Sequence, residues 1–143
     1  EIFVNPPLYI DYGKNTRIGQ RFYANMDCIF LDVAPITIGD DVMFGPRVSL
    51  ITASHPIDAG VRQRGLEYGK AITIADRVWL GAGVIVNPGV TIGENTIVGS
   101  GTVVTKNLPA NVIAVGNPAR ILREITDSDR LYWEEKENEY YEK

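Results

Sequence analysis

A six-residue period runs through the second half of the chain, and it restricts the possible folds more than any other feature. Six consecutive blocks of six residues begin with an aliphatic residue, at Ile74, Leu80, Val86, Ile92, Val98 and Val104. The second place of these blocks holds Ala, Gly, Asn or Thr, and the fifth place holds Val, Thr or Leu. A hexapeptide period of this kind predicts a parallel β-helix.

The period has a direct physical interpretation. One bulky aliphatic residue per block fills the axis of a column, and the residue four places later shares that interior. Residues that accept a positive φ at low cost let the chain turn between blocks. Three blocks then make one triangular coil, and successive coils stack at roughly 4.8 Å, the usual spacing of paired strands. A β-sandwich of many short strands is the alternative, and six in-phase blocks argue against it.

The pattern extends towards the N-terminus with two interruptions. Blocks that begin at Ile18 run to Phe30, slip by two residues, and resume at Ile38. The pattern stops again between Thr52 and Ala71, a polar stretch with the only histidine. We expect a long loop without regular structure at about 52–71, and such loops are usually functional. Residues 1–15 are expected to be irregular and to cap or begin the column.

The C-terminal residues differ in character from the column. Val112–Val115 and Ile121–Ile125 are predicted to be closing strands, and Asp127 is expected to begin a helix. Residues 131–143 predict either an amphipathic helix or a solvated acidic tail. We therefore divide the chain into a β-helix domain at 1–125 and an acidic helical tail at 126–143. This tail accounts for the acidity, since residues 124–143 contain eight acidic and three basic residues within a net charge of −4.

Composition excludes several classes of function. The apolar content of 45% is that of a globular protein. No apolar run approaches the length of a membrane span, and the nearly neutral body lacks the basic patch of a nucleic-acid-binding protein. No signal peptide is visible, and the single Cys28 cannot form an intrachain disulfide. We expect a cytoplasmic protein that acts without nucleic acid or membrane.

Motifs outside the period match a known family. They are Phe22-Tyr-Ala-Asn-Met, Leu31-Asp32, Ile38-Gly-Asp-Asp-Val, Ser54-His-Pro, Gly65-Leu-Glu-Tyr-Gly-Lys, Val78-Trp-Leu-Gly, Val103-Val-Thr-Lys and Gly116-Asn-Pro-Ala-Arg. In this order and spacing the chain resembles the hexapeptide-repeat sugar O-acetyltransferases, which include the maltose, galactoside and nodulation acetyltransferases. The resemblance covers the chain from about Tyr9 to Ile125.

The resemblance implies an all-β, left-handed parallel β-helix and a homotrimer with active sites between subunits. The handedness is taken from the family, because the usual crossover of parallel strands is right-handed. The implied reaction transfers acetyl from acetyl-coenzyme A, a co-substrate, to a sugar hydroxyl without a metal. The position of the catalytic base is His55. The acceptor-binding positions are Tyr23, Asn25, Asp32 and Glu67, and the coenzyme positions are Ala82, Ser100, Thr105, Lys106, Arg120 and Arg123.

The residue types suit this chemistry. A hydroxyl is a poor nucleophile and needs a base that titrates near neutral pH, as histidine does. A backbone N–H at Ala82 can stabilise the oxyanion that forms from the thioester. The basic residues can bind coenzyme phosphates, and Asn25 and Asp32 can bind sugar hydroxyls. Glu67 could instead orient His55.

Other readings of the sequence remain. A xenobiotic or serine acetyltransferase would use the same column, and a non-enzymatic scaffold would use the loop only for packing. A carbonic anhydrase of the γ type needs three histidines, whereas this chain has one. Cys28 is predicted to be a small core residue, with a Cys–His acyl-enzyme as the alternative, and Trp79 is predicted to pack or anchor a loop. The helical N-terminal segment usual in the family is not seen in this sequence, so the acceptor stays open.

Overall fold

The aliphatic residues at the first place of each block line the axis of a column, as the period predicts. In the computed structural model, which describes residues 1–143, all six of them are completely buried. The fifth-place residues Val78, Val84, Val90, Thr96 and Thr102 are buried beside them. The column is therefore filled along its length by side chains that the sequence period selects.

Three parallel sheets form the three faces of the column. The seven-stranded sheet contains β1 (Ile2–Val4), β4 (Phe22–Ala24), β7 (Met43–Phe44), β12 (Trp79–Leu80), β15 (Ile97–Val98), β17 (Val112–Val115) and β18 (Arg120–Glu124). The five-stranded sheet contains β2 (Leu8–Ile10), β5 (Cys28–Leu31), β8 (Ser49–Ile51), β13 (Ile85–Val86) and β16 (Val103–Val104). The four-stranded sheet contains β3 (Thr16–Ile18), β6 (Ile36–Ile38), β11 (Ile72–Ile74) and β14 (Thr91–Ile92). Only β18 breaks the pattern, since it runs antiparallel to β17.

The strand register shows how the two interruptions are accommodated. Ile74 pairs with Ile92, eighteen residues later, which is the length of three blocks. Ile18 pairs with Ile38, twenty residues later, so the predicted slip of two residues is confirmed as a wider corner at 32–35. Ile38 pairs with Ile74, which confirms that the column resumes in phase after the long loop.

Two expectations about irregular segments were wrong. The first fifteen residues are not irregular, because β1 and β2 pair with β4 and β5 and so form part of the first coil. The loop at 52–71 has structure of its own: β9 (Ala53–Ser54) and β10 (Tyr68–Gly69) pair antiparallel, and α1 (Ala59–Gln63) lies between them. Asp58 caps this short helix by accepting a hydrogen bond from the Val61 N–H at 2.8 Å. The loop lacks the six-residue period, but the Asp58 cap is sufficient to define a short helix within it.

The C-terminal helix α2 (Asp127–Tyr141) forms where the acidic start predicted it. Thr126 and Asp129 form a capping box at its N-terminus. None of its residues is buried, so the helix does not press an apolar face against the column, and its aromatic side chains remain exposed. Neither α1 nor α2 combines the length and the apolar composition of a membrane-spanning helix.

Asp32 organises the widened corner. Its side chain is completely buried and accepts hydrogen bonds from the Tyr12 N–H at 2.7 Å, the Asn15 N–H at 3.2 Å and the Thr16 hydroxyl at 3.0 Å. Burial by itself would raise the pKa of Asp32, but these hydrogen bonds and one from Gly13 hold that pKa below its ordinary value. The carboxylate therefore ties the corner of the first coil to that of the second.

We predict that Asp32→Asn destabilises the protein. Both carboxylate oxygens accept hydrogen bonds, whereas an amide has one oxygen, and its NH₂ group would face N–H donors that it cannot accept from. The free energy of unfolding should fall by about 1–3 kcal/mol at neutral pH. Since the pKa is lowered in the folded state, the carboxylate's contribution is fully present above the unfolded pKa of about 3.9 and is lost as the pH falls through the folded pKa. Denaturant unfolding at fixed protein concentration, repeated across this pH range, measures the loss of unfolding free energy and its pH dependence.

Asp40→Asn is the matched control, because the Asp40 carboxylate accepts one hydrogen bond, from the Gln20 N–H, in another corner. It should cost less than Asp32→Asn. A difference between the wild type and Asp32→Asn that stayed constant down to strongly acidic pH would contradict the role of the ionised carboxylate.

Candidate active site

The strands of the five-stranded sheet separate two rows of corner residues, and the predicted site residues divide between them. The N-side corner joins the seven-stranded sheet to the five-stranded sheet and contains residues 25–27, 45–47, 81–83 and 99–101. The C-side corner joins the five-stranded sheet to the four-stranded sheet and contains residues 32–35, 52–71, 87–89 and 105–107. A strand of two to four residues lies between the two corners in every coil.

Stacking of the coils brings Asn25, Ala82 and Ser100 into the N-side corner. The Asn25 N–H donates to the Phe44 carbonyl at 2.9 Å, and the Gly101 N–H donates to the Ala82 carbonyl at 2.8 Å. The N–H of Ala82 has no hydrogen-bond partner in the chain. A Cβ atom at Gly45 would lie 2.7 Å from the Ala82 nitrogen, so glycine at position 45 permits the close stacking of these two corners. The geometry suits the oxyanion donor that the sequence predicted at Ala82.

The side chain of Asn25 keeps its amide group available. Its Oδ1 atom accepts from the Met26 N–H at 2.8 Å and from the Asn5 amide at 3.4 Å, as the side chain is oriented here. The Nδ2 atom has no acceptor in the chain. Asn25 can therefore donate a hydrogen bond to a hydroxyl oxygen.

An apolar row on the outer face of the seven-stranded sheet adjoins Asn25. Tyr23 stacks on Phe3 with ring centroids 5.6 Å apart, and Met43 and Trp79 continue the row in register. Trp79 is 51% exposed in the single chain. Such a row offers a flat apolar wall beside the polar groups of the N-side corner.

His55 lies in the C-side corner, immediately after β9, and its side chain is exposed. The Nδ1 atom is 3.4 Å from the Leu66 carbonyl oxygen. A carbonyl can only accept, so this contact favours the proton on Nδ1 and leaves the Nε2 lone pair free to take a proton. The antiparallel pairing of Ser54 with Tyr68 holds the two segments together. No hydrogen bond joins Glu67 to His55, so the Leu66 carbonyl orients the imidazole and not Glu67.

The predicted coenzyme residues also divide. Thr105, Lys106 and Arg120 line a pocket of about 260 Å³ next to the C-side corner, together with Leu108 and Ala119. Arg123 lies outside this pocket, on β18, where it pairs with Ile113 of β17. There it lines a cleft of about 510 Å³ between the sheet and α2.

Arg123 is paired with Asp129 of α2, a contact that the sequence reasoning missed. The two Nη atoms of Arg123 each lie 2.8 Å from an oxygen of Asp129. The hydrogen bonds from Arg123, with one from the Thr126 N–H, lower the pKa of Asp129 to about 2, and Asp129 in turn raises the pKa of Arg123. The sequence offered one signal for this pair: Asp129 stands in the first turn of the predicted helix, six residues after Arg123.

The Asp32 carboxylate already has hydrogen-bond partners within the chain. These are Tyr12, Asn15 and Thr16, within the corner. In this chain its observed role is to fix the corner beside the loop that carries His55.

Cys28 is a core residue, as the sequence predicted. It is completely buried, with Sγ 3.3 Å from the Asn25 carbonyl oxygen and 3.5 Å from that of Gly45. Burial raises the pKa of the thiol. A thiol in this environment resists ionisation, and ionisation is what nucleophilic attack requires.

A single chain does not bring these groups together. His55 lies at the C-terminal ends of the strands of the five-stranded sheet, whereas Asn25 and Ala82 lie at the N-terminal ends. Arg123 and Arg120 share β18, but Arg123 lines the cleft beside α2, whereas Arg120 lines the pocket that contains Lys106. His55 and Lys106 are exposed, whereas Asn25 and Ala82 are half-buried.

Comparisons with known proteins agree with the repeat and the motifs. The sequence model of the family described as bacterial transferase hexapeptide (six repeats) matches residues 71–106. The chain is 46% identical over 131 residues to the galactoside O-acetyltransferase of Escherichia coli, which covers 92% of this chain and 64% of that protein. The chain spans less than two thirds of the length of some curated relatives, for example 59% of a putative acetyltransferase of Schizosaccharomyces pombe.

Solved structures share the fold. A maltose O-acetyltransferase from Clostridium difficile superposes with a TM-score of 0.87 at 52% identity, over 88% of this chain and 67% of that one. A hexapeptide-repeat acetyltransferase from Vibrio cholerae in complex with acetyl-coenzyme A superposes with a TM-score of 0.86 at 43% identity, over 88% of this chain and 69% of that one. The chain therefore belongs to the hexapeptide-repeat sugar O-acetyltransferase family.

Proposed function

We propose that the protein transfers acetyl from acetyl-coenzyme A to a hydroxyl of a sugar or sugar-like acceptor, by direct attack with His55 as general base. The observation that carries this proposal is the imidazole of His55, which is exposed and oriented by the Leu66 carbonyl so that Nε2 can accept a proton. Relatives whose names state galactoside or maltose O-acetyltransferase support the reaction class.

The proposed reaction conserves all its protons. The acceptor hydroxyl oxygen attacks the thioester carbonyl while its proton moves to Nε2 of His55. The carbonyl oxygen becomes an oxyanion, which the free N–H of Ala82 stabilises. The tetrahedral intermediate then expels the coenzyme A thiolate, which takes the proton from His55.

The acceptor is proposed to lie beside the N-side corner. The Asn25 amide would donate to a sugar hydroxyl, and the ring of Tyr23 would contact the apolar face of the sugar. Glu67, exposed on the loop beside His55, would accept from another hydroxyl. Asp32 would support the site indirectly, through the corner that it fixes.

The coenzyme is proposed to bind along the groove between neighbouring copies of the column. Ser100 and Ala82 would lie near the thioester end, and Thr105, Lys106, Arg120 and Arg123 would contact the phosphates. Arginine and lysine form charge-assisted hydrogen bonds with phosphate oxygens, so the cationic groups are suited to this part of the ligand.

We propose a homotrimer, because copies would unite groups that one chain keeps apart. The outer row of the five-stranded sheet is apolar except for Ser49 and contains Tyr9, Ile29, Ile85 and Val103, whereas the four-stranded sheet presents Arg17 and a run of threonines. Apolar outer faces on two of the three sheets favour burial against other copies. Closed cyclic symmetry would place the C-side corner of one copy against the N-side corner of the next.

His55→Ala is predicted to lower kcat by roughly 10²- to 10⁴-fold, because general-base catalysis contributes about that much. Coenzyme A binding, measured by calorimetry, should be retained. Cys28→Ser is the control: a serine hydroxyl can donate to the same carbonyls as the thiol, and no thiol nucleophile is required. It should stay active. Loss of transfer in Cys28→Ser with transfer retained in His55→Ala would contradict direct attack and indicate an acyl-enzyme.

The double variant Lys106→Ala with Arg123→Ala is predicted to raise KM for acetyl-coenzyme A by roughly ten- to hundredfold, with a smaller effect on kcat. The reason is the loss of two cations for the coenzyme phosphates. Lys14→Ala with Arg17→Ala removes the same charge from the first coil and should leave KM near that of the wild type. Unchanged coenzyme affinity in the first double variant would remove these residues from the site.

A further inference from the structure

The first coil repeats the residue types that the second coil presents beside the N-side corner. Phe3 of β1 pairs with Tyr23 of β4, and the Asn5 N–H donates to the Ala24 carbonyl at 2.9 Å, so Asn5 continues the same register opposite Asn25. Side chains two residues apart lie on the same face of a strand. An aromatic residue and an asparagine therefore stand side by side on the outer face in both coils.

One backbone N–H fixes the orientation of both asparagine amides. The Met26 N–H donates to the side chain of Asn25 at 2.8 Å, and an N–H can only donate, so the atom that it contacts is Oδ1. The Asn5 amide makes a long hydrogen bond of 3.4 Å to the same oxygen, which requires its Nδ2 atom. The atoms that remain without a partner in the chain are then Nδ2 of Asn25 and Oδ1 of Asn5.

These two atoms are complementary to hydroxyl groups. Both residues are half-buried, and no buried side-chain nitrogen or oxygen of the chain lacks a partner, so solvent reaches the free atoms of Asn5 and Asn25. One atom donates, the other accepts, and neither carries a charge. A hydroxyl can take either role, whereas an ionised phosphate or carboxylate has no proton to give to Asn5 Oδ1. The pair is suited to a neutral compound with more than one hydroxyl.

An apolar wall accompanies the two amides along both coils. The rings of Phe3 and Tyr23 stack with centroids 5.6 Å apart and planes within 2° of parallel. Phe3 is 57% exposed, so the wall extends to the first coil and can be reached by a ligand. A sugar ring has apolar C–H faces and a polar edge, and it can contact the wall and the amides together.

We propose that Asn5 is a second acceptor-binding residue, whose Oδ1 accepts a hydrogen bond from an acceptor hydroxyl other than the one that is acetylated. This inference rests on the proposed function. The reacting hydroxyl gives its proton to His55, so the hydroxyl that donates to Asn5 must be a different one. The acceptor class is therefore a compound with at least two hydroxyl groups, one of which reacts while another binds the first coil.

The test uses methyl glucoside, methyl galactoside and the monodeoxy analogues of each as acceptors. Asn5→Ala should lower kcat/KM for the two parent sugars by about five- to tenfold, as expected for one hydrogen bond to an uncharged hydroxyl, with KM for acetyl-coenzyme A unchanged. One monodeoxy analogue should react equally well with the wild type and Asn5→Ala, because both deletions remove the same hydrogen bond. Asn138→Ala removes an exposed amide from α2 and should behave as the wild type with every acceptor.

Asn25→Ala separates direct binding by Asn5 from an effect transmitted through Asn25. Direct binding predicts that the analogue insensitive to Asn5→Ala still reacts more slowly with Asn25→Ala than with the wild type. If the two variants became insensitive to loss of the same hydroxyl, Asn5 would only orient Asn25 and the inference would be overturned. An unchanged kcat/KM in Asn5→Ala, or an equal loss with every analogue, would also overturn it. Failure of the wild type to acetylate any of these sugars would overturn the proposed function instead.

Discussion

The hydrogen bonds between stacked coils are the interaction on which the rest of this structure depends. Each coil donates its backbone N–H groups to the next, so residues far apart in sequence meet at fixed spacing along one corner. Gly45 approaches Ala82 and Gly81 approaches Ser100 because of this stacking. The buried aliphatic axis stabilises the stack, since each coil covers the apolar face of its neighbour.

The period in the sequence predicted which side chains point inward, because the first and fifth places alone have room for the axis. Ile74 and Val98 lie where the pattern put them. The pattern could not predict the partners of polar residues at the corners, where chain direction changes and local hydrogen bonding decides the geometry. Asp32 has the residue type of a sugar ligand, yet its carboxylate is used by the neighbouring corner. The pairing of Arg123 with Asp129 likewise depends on a turn that no period describes.

A triangular column constrains where an active site can form. Its interior is filled with side chains, so reactive groups can project only from corners and outer faces. Asn25 lies at the N-terminal edge of the five-stranded sheet, and His55 lies on the loop that leaves its C-terminal edge. The proposed shared site therefore needs a second copy to supply the group that one chain holds elsewhere.

Complementation between inactive chains tests the shared site most directly. His55→Ala and Asn25→Ala chains, each strongly impaired alone, would be unfolded together, refolded as a mixture and assayed. If His55 of one copy works with Asn25 of the next, about a quarter of the boundaries in a random trimer from an equal mixture are intact, and about a quarter of wild-type activity should return. Activity no higher than the average of the two separate variants would place both residues in one chain's site and contradict the account.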